Sequence, residues 1–241
     1  MLTKLLGYAI LWKKEGFPLT KHKLPLTATH LRILALSLML LDHLWHTVVP
    51  GNDWMTYLGR MAFPIFAFQT AEGYRHTHDF KGYCKRLAIF ALASEIPFNL
   101  MVSGSLLYPS HQNVMVTMLL GLLACRAYDR KKRGHCLLWL ILGSFCMCDY
   151  SLMGVWTVLM FHVFREQKLY QFLLLAAINW FGFDSPLISI GVFQIPVQAF
   201  AIGAALPIFL YNGEKGRGGK WVQFGSYVFY PLHLLILGII S

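Results

Sequence analysis

The chain has 241 residues, 56% of them hydrophobic and only 13% charged, with a mean hydropathy of +0.52. That balance excludes a water-exposed globular surface and points to a polytopic membrane protein. The formal charge of +10 then reads as lysines and arginines that orient the chain in a bilayer, with no nucleic acid as partner. The five cysteines, Cys84, Cys125, Cys136, Cys146 and Cys148, have neither the spacing of a disulfide framework nor that of a zinc site, so no metal is expected.

The chain opens with MLTKLLGYAILWKK, where Leu2, Leu5, Leu6, Ala9 and Ile10 share a helical face and Lys4, Lys13 and Lys14 lie off it. This spacing predicts that residues 1–29 form a retained amphipathic segment in the cytoplasmic interface. Residues 30–49, HLRILALSLMLLDHLWHTVV, are long enough to cross about 30 Å of hydrocarbon as one helix. Further spans are expected at 54–74, 84–102, 112–128, 135–148, 152–164, 168–181, 187–210 and 221–240; the fifth and sixth also fit a re-entrant hairpin. If these alternate, every lysine and arginine except Arg60 falls on one side, which the positive-inside rule makes the cytoplasm. The expected fold is therefore an all-α polytopic membrane protein of about nine transmembrane helices, N-terminus cytoplasmic, in a bacterial inner membrane. One domain, 30–241, follows the interfacial segment.

Polar groups inside the spans need a use, because an aspartate at the centre of a membrane helix costs about 3 kcal/mol on insertion scales. Asp42 and His43 come to about 18 Å from the cytoplasmic end of the first helix at 1.5 Å per residue. Arg60 follows early in the second span, Glu95 and Asn99 flank Pro97 in the third, Gln112 and Asn113 start the fourth, and Tyr230 and His233 lie in the ninth. Their similar depth predicts one buried polar pocket opening to the outer face. Plainer readings stand beside this one. Asp42 and Arg60 can be a packing ion pair, Gln112 and Asn113 helix caps, and His233 a packing residue. A histidine beside a carboxylate can take a proton from an attacking amine or hydroxyl, and a guanidinium can stabilise charge on a thioester carbonyl. The same groups would serve a proton-coupled transporter or a structural component of a secretion system, and spacing alone does not separate these.

LRILALSLMLLDHLWH, GRMAFPIFAFQTAEGYRHT, YCKRLAIFALASEIPFNL, QNVMVTMLLGLL, YNGEKG and VFYPLHLLIL together resemble the TraX family of conjugal-transfer membrane proteins, from about residue 31 to 240. The resemblance implies acetylation of pilin amino termini. More distantly, the first two spans are similar to membrane acyltransferases that modify envelope polysaccharides with an intramembrane histidine and acetyl-CoA. It implies His43 as catalytic base, Asp42 as its partner and Arg60 as a substrate or oxyanion contact. Glu72, Gly73, Arg86, Asn113, Tyr211, Asn212, Tyr230 and His233 match further family positions. The expected activity is transfer of an acetyl group from CoA to a peptide, pilin or glycan acceptor near the outer face. Glu95, Asn99, Asn113, Tyr230, His233 and Glu72 would contact that acceptor. Arg75, Arg86, Arg130, Lys220, Tyr211 and Asn212 would hold the donor.

Overall fold

The computed structural model describes residues 24–190 and 192–240; the amphipathic helix expected at the N-terminus lies outside them. Helix α1 (Ala28–Thr47) begins at a reciprocal cap: the Thr27 hydroxyl accepts from the His30 N–H, and His30 Nδ1 accepts from the Thr27 N–H. The N–H groups of Ala28 and Thr29, which no helical turn can satisfy, donate to the carbonyls of Glu214 and Lys215. The first helix is thereby stitched to the loop before the last.

The expected second span is two helices, α2 (Trp54–Gly59) and α3 (Ala62–His76), separated at Arg60 and Met61. Pro64 is the physical reason: it has no N–H to give the Arg60 carbonyl four residues earlier, and it fits the first turn of a new helix. Then follow α4 (Phe80–Ser103), α5 (Val114–Asp129), α6 (Arg133–Phe145), α7 (Ser151–Val163) and α8 (Lys168–Phe181). The expected eighth span is not a single helix. Residues 187–210 form an antiparallel hairpin, β1 (Leu187–Ile190) with β2 (Phe193–Pro196), then a 3-10 helix (Val197–Ala204) and the short α9 (Ala205–Phe209). The β-branched and aromatic residues of LISI and FQIP favour strands, and Pro196 ends the ladder. Helix α10 (Gly219–Ile240) closes the chain.

Helix α3 is the hub and packs on α1, α5, α7 and the 3-10 helix. Its buried face carries Ala62, Ala67 and Ala71 between Phe63 and Ile65, so neighbouring backbones approach closely. Leu31, Ile65, Leu122, Val155 and Leu234 are fully buried around it. Helix α10 packs against α4 and α1. The outside of the bundle is apolar: Trp221, Phe224, Val228, Leu232, Leu235 and Ile239 of α10 are exposed at helical spacing, as are Ile89, Leu92 and Ile96 of α4. Soluble monomers do not leave such stripes bare, and a bilayer covers them. Among the described helices, α4 and residues 221–240 of α10 have the length and hydropathy to cross a membrane alone.

A Cβ at Gly121 of α5 would sit 2.6 Å from the Val158 side chain of α7, whereas one at Gly134 meets nothing within 4 Å. Gly121→Ala is expected to lower stability by about 1–3 kcal/mol through overpacking, and Gly134→Ala to leave it unchanged or raise it by less than about 1 kcal/mol. Thermal unfolding of the two variants in detergent checks this.

Candidate functional site

A histidine pair joins the first and last described helices. His233 Nδ1 lies 2.8 Å from the carbonyl oxygen of Phe229, one turn back on α10. A carbonyl can only accept, so Nδ1 carries the proton, and Nε2 of the neutral ring is an acceptor. His233 Nε2 lies 2.8 Å from His43 Nδ1, which therefore donates. By this assignment His43 keeps its lone pair on Nε2, in the form a general base needs. The rings are nearly coplanar, 4° apart, and His233 is buried. His43 is thus held in tautomer and angle by a second histidine, itself held by a backbone carbonyl.

Asp42 was expected to orient His43, and the structure corrects this. Consecutive helical residues point about 100° apart, so Asp42 faces α2 while His43 faces α10. Arg60 Nη2 donates to both Asp42 oxygens at 2.6 Å, and the Thr56 hydroxyl donates to Oδ1 at 2.7 Å. Gly59 makes this approach possible, because a Cβ there would fall onto the Asp42 side chain, 2.8 Å from Oδ1. The buried Arg60 Nε has no hydrogen-bond partner among the described residues.

Two cavities approach this centre from opposite ends of the bundle. At the basic end, a cleft of about 400 Å³ is lined by Arg32, Glu72, His76, Arg86, Tyr211 and Lys215. It shares Arg32, Gln69 and Gln223 with a narrower slot of about 80 Å³, whose walls include Leu36, Met39, Tyr227 and Tyr230. On α1 the wall residues step from Arg32 to Leu36 and Met39, and the next position on that face is His43. On α10 they step from Gln223 to Tyr227 and Tyr230, and the next is His233. The slot's lining stops one helical turn short of the histidine pair. At the other end, a cavity of about 410 Å³ is lined by Trp45, Thr56, Tyr57, Arg60, Asp149, Tyr150 and Asp184, among others.

That outer cavity rests on a pinned loop. Gln112 and Cys148 are paired in a parallel bridge through the Gln112 N–H to Met147 O and the Asp149 N–H to Gln112 O bonds, and the Thr117 hydroxyl donates to the Asp149 carbonyl. Met147, Tyr150 and Ser151 have φ of 49°, 62° and 50°, a left-handed cluster that costs energy in non-glycine residues and gathers at functional positions. Asp149 also lies 3.5 Å from His111 Nε2.

The remaining expected residues do not form one outer pocket. Glu95 accepts from Asn113 Nδ2 at 2.6 Å, and Asn113 Oδ1 caps α5 by accepting from the Met115 N–H. Asn99 donates to the Leu106 carbonyl at 3.3 Å, and its buried Oδ1 has no hydrogen-bond partner among the described residues. None of Glu95, Asn99 and Asn113 lines the slot or the outer cavity. Glu72 lies at the basic end, 2.9 Å from His76 Nε2, because it is three turns beyond the break at Arg60. Tyr211 and Arg86 line the basic cleft. Arg75 lines two neighbouring cavities. Asn212 is a turn residue: its N–H donates to Leu26 O and its Oδ1 accepts from the Glu214 N–H. Arg130 is exposed, caps α5 with its backbone and lines none of these cavities; the Lys220 side chain lies outside the described residues. Arg32, Thr56, Asp149 and Tyr150 were missed. Arg32 reads in sequence as a topology residue, Asp-Tyr-Ser between two apolar runs is the available sign of Asp149 and Tyr150, and Thr56 carries no local signal.

Fold and site define a helical membrane protein with a histidine pair set between a basic cleft and an outer cavity. A family profile described as TraX protein matches residues 27–241; the chain belongs to that family. It is similar to a protein of Dichelobacter nodosus described as "Probable fimbrial assembly protein FimC, serogroup H1", at 26% identity over 232 residues, covering 88% of this chain and 94% of that one. No solved structure matches the chain.

Removing one partner of a largely buried ion pair strands the other, at a cost of about 3–5 kcal/mol. Arg60→Met is therefore expected to lower the melting temperature more than the Asp42→Asn, Arg60→Met double variant does, and a double-mutant cycle on the purified chain measures the difference. The Asp149 carboxylate, 3.5 Å from Nε2, raises the pKa of His111 above its usual value. Stability from this contact is present in full below about pH 6.5 and fades as pH rises through the raised value. His111→Asn should flatten the melting-temperature profile in that window.

Proposed function

We propose that this chain is an integral, multi-pass acyltransferase of the bacterial inner membrane, with its basic end in the cytoplasm and the hairpin end outside. The observation that carries the reading is the slot. It runs from a cleft bearing Arg32, Arg86 and Lys215 along matching faces of α1 and α10 toward His43 and His233. From Arg32 to His43 the helix rises about 16 Å, the order of length of a pantetheine arm. The cleft's guanidinium and ammonium groups suit the donor's phosphates, and the slot suits the arm that carries the thioester. The shorter helices cross as parts of the bundle, covered by α4, α10 and one another, with the apolar stripes facing lipid.

The acceptor enters from the outer cavity. His43 Nε2 takes a proton from its amine or hydroxyl as that atom attacks the thioester carbonyl carbon, and the Nδ1 hydrogen bond to His233 keeps the ring in register. Arg60 Nε is the donor available for the negative charge that grows on the carbonyl oxygen. When the C–S bond breaks, the proton returns from His43 to the leaving thiolate. The products are the acetylated acceptor and CoA thiol, with no other reactant. The fimbrial relative and the family favour a surface appendage subunit as acceptor, and the outer cavity's mixture of carboxylates and aromatic rings accommodates a peptide amine or a glycan.

His43→Gln should abolish acetyl transfer from acetyl-CoA. His233→Gln should lower kcat by about 10²-fold or more while leaving the KM for acetyl-CoA within about threefold, because His233 acts on the ring and not on the donor. Steady-state assays of CoA release and acceptor acetylation in nanodiscs read both. Undiminished turnover in His43→Gln would refute the reading.

A further inference from the structure

The basic cleft does not end at Glu72. It shares Phe68, Glu72, Tyr211 and Gly213 with a cavity of about 180 Å³, and that one shares Arg75, His162 and Arg165 with another of about 260 Å³, lined also by Tyr74, Arg126 and Asp129. The last cavity brings together guanidinium groups from α3, α5 and the turn after α7. The lining carboxylate among the described residues is partnered within the cavity wall: Asp129 Oδ1 lies 2.8 Å from His162 Nε2, and Oδ2 accepts from the Tyr74 hydroxyl at 3.0 Å. His162 is buried and meets the Tyr74 ring edge-on, so this side of the cavity is fixed. Arg126 is held over the Phe80 ring at 4.4 Å and has no ion pair among the described residues. Among the described residues Arg165 pairs with the exposed Glu166, through Nε at 3.5 Å, and Arg75 Nη1 lies 3.8 Å from Glu72. Pairs at such distances contribute little; the Nη groups of Arg126 and Arg165 make no ion pair among the described residues and can take an anion, with Arg75, whose Nη1 stands near Glu72, as a weaker third. Planar, multiply donating groups converging on an open pocket are suited to a phosphate monoester.

We propose that this cavity is a phosphomonoester subsite for the 3′-phosphate of the donor's nucleotide, gripped chiefly by Arg126 and Arg165. Resting on the acyl-CoA reading, it adds a specificity: the donor is CoA itself, and a thioester on a carrier without the 3′-phosphate is a poor substrate. The connected cavities give the nucleotide a path along the basic end while the pantetheine arm turns into the slot.

The test uses the full chain in phosphatidylcholine nanodiscs. Adenosine 3′,5′-bisphosphate should bind the unaltered chain, and Arg126→Gln with Arg165→Gln should weaken it about tenfold or more. Adenosine 5′-monophosphate should bind more weakly and be indifferent to the substitutions. In turnover, the double variant should lose the preference for acetyl-CoA over its 3′-dephospho analogue while still using the analogue, which shows the fold intact. Equal binding of the bisphosphate by both proteins, or equal loss of both nucleotides, would overturn the subsite. So would competition by phosphatidylglycerol discs through the same two arginines, which would assign the cavity to a lipid headgroup. The two readings fail separately. Arginine-dependent bisphosphate binding without acetyl transfer sinks the acyltransferase and keeps the subsite, whereas transfer with equal KM for both thioesters does the reverse.

Discussion

An ionised carboxylate inside an apolar bundle must have a cation against it, and the pairing of Asp42 with Arg60 organises everything around it. Pro64 ends α2 at Arg60, Gly59 clears the space for Asp42, and Thr56 supplies another hydrogen bond to the same carboxylate. Because Asp42 is consumed by these contacts, His43 is left to find its partner on another helix. It finds it on α10, at the far end of the chain, where Phe229 and His233 present a hydrogen-bond acceptor of fixed tautomer. The basic centre therefore exists only when the first and last described helices have met.

That meeting also builds the approach to the centre. The α1 and α10 faces that end in His43 and His233 are the same faces that wall the slot, so one helix contact both orients the base and aims a path at it. The loop 210–217 reinforces the arrangement by taking the N-terminal N–H groups of α1. Opposite, the short α2 and the left-handed segment at Tyr150 hold the outer cavity open beside Arg60. The histidine pair thus stands between cavities at opposite ends of the bundle, the slot's lining stopping one turn short of it.

What the amino-acid order determined by itself was local. Apolar runs placed most helices to within a few residues, because helix formation and burial depend on near neighbours and on side-chain periodicity. The cost of charge in an apolar stretch singled out Asp42, His43 and Arg60, and the Tyr-Pro-x-His element brought in Tyr230 and His233. Asn113 as a cap was also legible, since a cap acts over one turn.

Tertiary structure decided the pairings. Asp42 and His43 are adjacent in sequence yet face different helices, a consequence of helical geometry that only the positions of α2 and α10 convert into partners. Glu72 and Glu95 carry the same group, but one faces the basic cleft and the other is spent on Asn113, a difference set by depth in the packed bundle. The run 187–210 is apolar enough to suggest a span, and its β-branched residues and Pro196 turned it into a hairpin and a 3-10 helix once α8 and α2 offered surfaces to cover. Arg32, Asp149 and Tyr150 acquire meaning only from cavities, and a cavity is bounded by residues remote in sequence, so no local pattern announces it.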